Sequence, residues 1–278
     1  MKISQNLISG FKKFLVFEEK SAATQDKYIR DVNAFAQWLQ SRNVDKDIVV
    51  QYKQYLVERF APKSVNSIIS SINCFFVFCK RYDLRVKTLR IQKQIFASDT
   101  KELTKTEYER LLAAARSKNN ERLWLLMQTV CSTGIRISEL KYITVEAVSA
   151  GVAIINCKGK TRQVFLPKQL CNNLLKYTKK KSITKGSVFV SKNGYPLDRS
   201  NIWSEMKKLC MLAGVAKSKV FPHNLRHLFA RTYYSVQKDI VRLADILGHS
   251  SVNTTRIYTM ETGEVHRRQI QKLGLLQC

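Results

Sequence analysis

The chain has 278 residues, with 48 Lys and Arg against 21 Asp and Glu, a formal net charge of +27. Hydrophobic residues make up 45% and aromatics 10%, enough for packed cores, which excludes a disordered polycation; a folded protein this basic meets a polyanion, nucleic acid first. Its longest apolar run, residues 74–79, is far short of the roughly 20 that cross a bilayer; residues 1–17 hold no cleavable hydrophobic block, and seven cysteines without Cys-x-x-Cys spacing predict reduced thiols in the cytoplasm.

Residues 1–90 read as helix throughout, a four-helix domain. Over residues 24–39, Tyr28, Val32, Phe35 and Leu39 recur at helical spacing with Trp38 on the flank. Asp45 or Asp47 is placed to cap a helix through Val50, Tyr55 and Val57, which Pro62 ends. Ser64 then caps a fourth helix that turns Val65, Ile68, Ile69, Ile72, Phe75 and Phe76 inward. From about Thr88 to Asp99 the pattern lapses and Lys87, Arg90 and Lys93 dominate, predicting a linker over 91–101 that lies along nucleic acid.

The second domain, 102–278, opens with Thr104-Lys105-Thr106-Glu107, a capping box ahead of Tyr108, Leu111, Leu112 and Ala115. Residues 121–132 form the next predicted helix, stopped at Gly134. The period then changes: residues 152–156 and 163–166 are β-rich, and Lys158-Gly159-Lys160-Thr161 between them predicts a hairpin. Helical patterns return at 168–180, 201–213, 222–234, 239–247 and 251–258, and a short amphipathic tail follows at about 264–276. The fold class expected is mainly α with a small antiparallel β-sheet.

Two tempting signatures fail. Gly159-Lys160-Thr161 ends like a phosphate-binding loop, but Ile154 stands where that loop needs its first glycine. His223 and His227 are spaced as zinc ligands on a helix, but Asn224 replaces the metalloprotease glutamate, so no metal is expected. The run Lys179-Lys180-Lys181 reads as a solvated helix end. What remains is Arg136 after the helix stop, Lys158 in the hairpin, His223 and Arg226 one turn apart, His249 after Gly248, and Tyr258.

In that order these strings resemble the tyrosine recombinase (integrase) family. Thr133-Gly134-x-Arg136-x-Ser138-Glu139-Leu140 is similar to its first motif and Pro222-His223-x-Leu225-Arg226-His227 to its second. Leu247-Gly248-His249-Ser250, followed by Thr254-Thr255-x-Ile257-Tyr258, is similar to its third. The match covers about 102–260, and Thr24, Tyr28, Phe35, Trp38 and Leu39 resemble the family's core-binding domain.

The resemblance implies a core-binding (SAM-like) domain followed by an α+β catalytic domain that cuts and rejoins DNA strands through a covalent 3′-phosphotyrosyl intermediate. Tyr258 would be the nucleophile. Arg136 and Arg226 would offer guanidinium forks to the non-bridging oxygens, where charge gathers. A free tyrosine, with a pKa of about 10, needs a base, and His223 is suited to take its proton. His249 would hydrogen-bond the phosphate, and Lys158, with Lys160 as the rival two residues on, would protonate the leaving oxygen. Glu139 would position the site. Lys87, Arg90, Lys93, Lys160 and Arg162 are the expected DNA contacts, and no cofactor is implied. The expected partners are double-stranded DNA with inverted-repeat core sites and further copies of the chain, a tetramer with the tail docked on a neighbour; no membrane is expected. A first helix starting near Met1 leaves no room for an extra arm-binding domain, which favours a compact Xer-like subtype. A type IB topoisomerase and a non-catalytic DNA-binding factor are the rival readings.

Overall fold

Local capping opens the helices of the first unit. Ser4 and Asp45 accept hydrogen bonds from the backbone N–H groups of Leu7 and Ile48, opening α1 (Gln5–Phe17) and α3 (Lys46–Arg59). Between them lies α2 (Ala22–Leu39), and α4 (Pro62–Phe78) follows. The computed structural model describes residues 1–40, 42–91, 102–157, 160–191, 193–258 and 270–273, without the side chains of 157 and 160. It divides into two compact units, Met1–Lys93 and Gln94–Cys278.

Two expectations for the first unit change. Pro62 does not end a helix; it starts α4 at a first-turn position where no N–H is needed, with Ala61 rather than Ser64 at the cap. In α3 the buried stripe is Val49, Tyr52 and Leu56, while Val50 and Val57 face solvent. Phe11, Leu15, Val32, Phe35, Ile69, Ile72, Phe75 and Phe76 fill the core, with Phe11 edge-on to Phe75 at 5.2 Å. The chain leaving α4 is strapped down by asparagines. Asn73 bonds both backbone groups of Val86, and Asn66 both of Leu89, so ordered contact with the helices continues past Thr88.

The second unit begins with α5 (Lys105–Ser117), whose Thr104–Glu107 capping box is complete, and α6 (Glu121–Thr133), which ends at Gly134 in the left-handed conformation. A 3₁₀ turn at Ile137–Tyr142 leads into α7 (Val145–Ala150). Strands β1 (Val152–Cys157) and β2 (Lys160–Phe165) pair antiparallel from Val152↔Phe165 to Cys157↔Lys160, so each strand runs nearer the tip than its sequence pattern suggested. Ala153, Ile155 and Val164 face the core; Ile154 and Phe165 face out. Then come α8 (Lys168–Lys180), α9 (Arg199–Lys207), α10 (Cys210–Ala213), α11 (Pro222–Gln237), α12 (Ile240–Leu247) and α13 (Val252–Thr255), with a 3₁₀ turn at Arg256–Tyr258. The helix expected over 201–213 is two helices. Helix α11 packs on α6, and a small cluster of Ala230, Leu243, Leu247 and Tyr258 forms beside the main core. Among the described residues no helix is long and apolar enough to cross a membrane.

Candidate active site

Gly134 is the first fixed point. Its φ is +67°, and a Cβ there would lie 2.4 Å from Phe229 Cδ1, so both the backbone and the neighbour demand glycine. The chain then turns through Arg136 into the 3₁₀ turn, which returns Glu139 beneath it. Glu139 is only 1% exposed. It accepts from the Arg136 backbone N–H at 2.8 Å, from Arg136 Nη1 at 2.9 Å and from Arg162 Nη2 at 2.6 Å. A carboxylate this deep requires such pairing, because an unpaired buried charge is costly. The Arg136 side chain stays 37% exposed, so the guanidinium that Glu139 orients still reaches solvent.

Arg226, on α11, is 1% exposed. Its Nη1 donates to the Gly134 carbonyl at 2.6 Å and its Nη2 to the Leu247 carbonyl at 2.7 Å, joining the ends of α6 and α12. These carbonyls at helix ends have no partner within the helix, so a buried cation satisfies them well. Its buried Nε has no hydrogen-bond partner among the described residues, a buried donor of the kind that proteins retain at functional sites. Burial lowers the Arg226 pKa to about 10, the charge of Arg136 adds to this, and Tyr258 and Glu139 oppose it, so the group remains a cation at neutral pH.

Nη2 of Arg226 also lies 3.0 Å from His249 Nε2. A guanidinium has no acceptor, so Nε2 must be the unprotonated nitrogen, and Nδ1–H then donates to Thr255 Oγ1 at 2.9 Å. Burial, followed by Arg226, Arg136 and Arg162, lowers the His249 pKa to about 4. Tyr258, 4% exposed on its 3₁₀ turn, stacks on the His249 ring at 6.0 Å and meets the His227 ring edge-on at 4.8 Å. His227 in turn touches His223 at 4.6 Å. Partial burial and then Arg226, Arg136 and Arg199 lower the pKa of His223, which keeps an exposed edge. Burial, with His223, Arg231 and Arg226 adding, takes His227 to about 4. The imidazoles are therefore neutral at pH 7, in the form that accepts a proton.

Arg136, Glu139, His223, Arg226, His249 and Tyr258 thus gather around one locus. Lys158 and Lys93 lie outside the described residues, as does the side chain of Lys160. Lys87 and Arg90 are exposed at the end of the first unit. Arg162, expected on DNA, is instead turned inward to Glu139 and the Ile246 carbonyl. Of the tail only 270–273 is described, with Ile270 and Leu273 exposed. The part of His227 beside the tyrosine was missed, although its spacing from His223 already put both rings on one helix face. Among the described residues no group of three or more His, Cys, Asp or Glu is arranged to hold a metal.

A helical unit followed by an α+β unit carrying this ordered arginine, histidine and tyrosine set is the architecture of enzymes that cleave and rejoin DNA through a tyrosine. The chain belongs to the phage integrase family: residues 101–264 match the model of that family, and residues 8–82 match the phage integrase N-terminal SAM-like domain. It is 29% identical to the tyrosine recombinase XerD of Xanthomonas campestris over 95% of this chain and 90% of that protein. Its fold is similar to XerH site-specific recombinase bound to difH substrate in a pre-cleavage complex (TM-score 0.71, 18% identity, 95% of this chain and 89% of that one). It is also similar to a lambda integrase tetramer bound to a Holliday junction (TM-score 0.74, 17% identity, 93% and 78%). The chain is a tyrosine recombinase; no comparison favours a type IB topoisomerase or a non-catalytic factor.

Proposed function

We propose that this recombinase is a compact, Xer-like, site-specific enzyme that acts in the cytoplasm as a multimer, a tetramer on paired DNA sites with inverted-repeat cores. The observation that carries the reading is the meeting of Tyr258 with Arg226, His249 and Arg136 at one locus. In the reaction, the Tyr258 oxygen attacks the scissile phosphorus and gives up its proton to His223. The bond from phosphorus to the 5′ oxygen breaks, and Lys158 of the hairpin supplies that oxygen with a proton. Arg136 stabilises the charge on the non-bridging oxygens through its exposed guanidinium. Arg226, whose Nη1 and Nη2 now donate to the Gly134 and Leu247 carbonyls, does so through its charge and the Nε–H that those carbonyls leave free. Loss of one preorganised donor typically costs on the order of 10²–10³ in rate. His249 can donate to the same phosphate only after a change of tautomer or partner, because its Nε2 now accepts from Arg226. The phosphotyrosyl bond retains the energy of the broken one, so a 5′-hydroxyl of a partner strand reseals it without an outside source. Lys87, Arg90, Lys93 and Lys160 supply phosphate contacts.

The test is covalent trapping on nicked duplexes carrying sites from the flanks of the gene, with wild type and Tyr258→Phe run together on a denaturing gel. A protein–DNA adduct that forms with chelator present and without ATP, and that the Phe variant lacks, is expected. An adduct that persists in the variant would name another tyrosine; tight binding with no adduct on any site would overturn the catalytic reading.

A further inference from the structure

Arg162 sits at a junction that its expected role as a DNA contact does not explain. It extends from β2, and its side chain is only 14% exposed. Nη2 lies 2.6 Å from Glu139 Oε2, on the carboxylate whose other oxygen holds Arg136 Nη1. Nη1 donates to the Ile246 carbonyl in the last turn of α12, which lies just before His249. The shaft fills the space that a side chain on residue 248 would take: a Cβ on Gly248 would meet Arg162 Cδ at 2.7 Å and Nε at 2.8 Å. Gly248 has a φ of +64° and closes α12, so its lack of a side chain serves both the turn and the arginine that crosses it.

We propose that Arg162 is a positioning residue for strand cleavage, a link from the hairpin that fixes Glu139, and through it Arg136, against the segment bearing His249. Its guanidinium is committed on two sides within the protein and is not a phosphate contact. The two partners need a planar fork: an ammonium at the same place is a point charge that serves one of them. Displacing a reacting group by about 1 Å can cost on the order of 10²-fold in rate. The inference rests on the recombinase reading and gives it an additional working part.

The experiment measures single-turnover adduct formation at saturating concentrations of a nicked duplex that the wild-type chain cleaves. Arg162→Ala, Arg162→Gln and Arg162→Lys are compared with wild type, together with equilibrium DNA affinity over a salt series. The adduct amplitude counts the folded, competent molecules, and the rate among them reads positioning. The expected result is a rate on the order of 10²-fold lower in the Ala and Gln variants, with less than about tenfold recovered by Lys. Affinity stays within about twofold and the salt slope is unchanged. Gly248→Ala lowers the rate as well, and adding it to Arg162→Ala costs less than it does in wild type, because the clash is gone and only the strain of the left-handed turn remains. A rate within twofold of wild type would overturn the proposal. So would a loss confined to amplitude, or a loss matched by weaker binding with a salt slope shallower by about 1, the signature of a lost phosphate contact. If wild type itself forms no adduct on any site, the recombinase reading falls and takes this inference with it; a wild-type adduct alongside unaffected variants defeats the inference alone.

Discussion

Two buried carboxylates, one in each unit, look alike in isolation. Asp31 of the first unit accepts from Lys27 Nζ at 2.6 Å and Ser71 Oγ at 2.7 Å; Glu139 of the second accepts from two arginines and a backbone N–H. The difference lies in what their cations have left to offer. Lys27 places its three donors on Asp31, the Ser67 carbonyl and Ser71 Oγ, so the cluster closes on itself and ties α2 to α4. Arg136 spends its Nη1 on Glu139 and keeps much of its guanidinium exposed, so that cluster opens outward. Burial and charge pairing alone do not mark a functional carboxylate; an oriented cation with exposed capacity does.

The sharpest way to break this comparison is to delete both carboxylates in turn. Glu139→Ala leaves two guanidiniums without their shared anion. It should lower stability by about 3–5 kcal/mol, as removal of one member of a buried pair does. Adduct formation per folded molecule should also fall on the order of 10²-fold, since Arg136 loses its orientation. Asp31→Ala should cost about 1–3 kcal/mol, the penalty for orphaning its hydrogen-bonded partners, and leave the rate per folded molecule within about twofold. Chemical denaturation and single-turnover trapping measure the two quantities separately. Equal rate losses in both variants would erase the distinction.

Acid should separate the units next. All four histidines lie in the second unit. His227 and His249 titrate near 4 in the folded chain because burial disfavours their charged forms, whereas an unfolded imidazole takes its proton near 6.5. Between those values the unfolded state binds more protons than the folded one. Stability in the second unit is therefore full above about pH 6.5 and falls as the pH drops toward 4. Hydrogen exchange, corrected for the intrinsic rate, should show protection in α11 and α12 declining from pH 7 to pH 5 while α2 and α4 hold theirs. His227→Asn should flatten the decline; equal acid sensitivity in both units would contradict it.

Much of this was legible in the sequence. The Thr104–Glu107 box, the Gly134 stop and the β-rich pair at 152–166 are local signals, and local hydrogen bonding decides them. The phase of α3 was not legible: Val49 and Val50, Tyr52 and Tyr55, and Leu56 and Val57 offer two apolar stripes, and only the packing partner chooses between them. Nor was the break after Lys207, because Lys208 and Leu209 keep near-helical dihedrals and the apolar period runs on. The ordered motifs named the arginines, histidines and tyrosine, but not what each would touch. Arg162 lies 84 residues from the carbonyl it caps and 23 from its carboxylate, beyond the reach of any periodic pattern.

The smallest expected effect tests the rule from the other side. Arg30 also approaches Asp31, at 3.8 Å, but its side chain is 76% exposed. Water screens such a pair, and holding a long side chain in place costs entropy that offsets the attraction. Arg30→Ala should change stability by less than about 0.5 kcal/mol, and less still in high salt, although Arg30 and Arg162 both face a buried carboxylate. The contrast isolates geometry from charge: Arg162 is short-range, shielded and bound on two sides, whereas Arg30 is long-range, wet and bound on one. A loss above about 1 kcal/mol on denaturation would mean that Lys27 does not suffice for Asp31 and that the first cluster is less closed than its three committed donors imply. A loss of DNA affinity at unchanged stability would instead assign Arg30 to the nucleic-acid face, where the exposed cations of a basic chain belong.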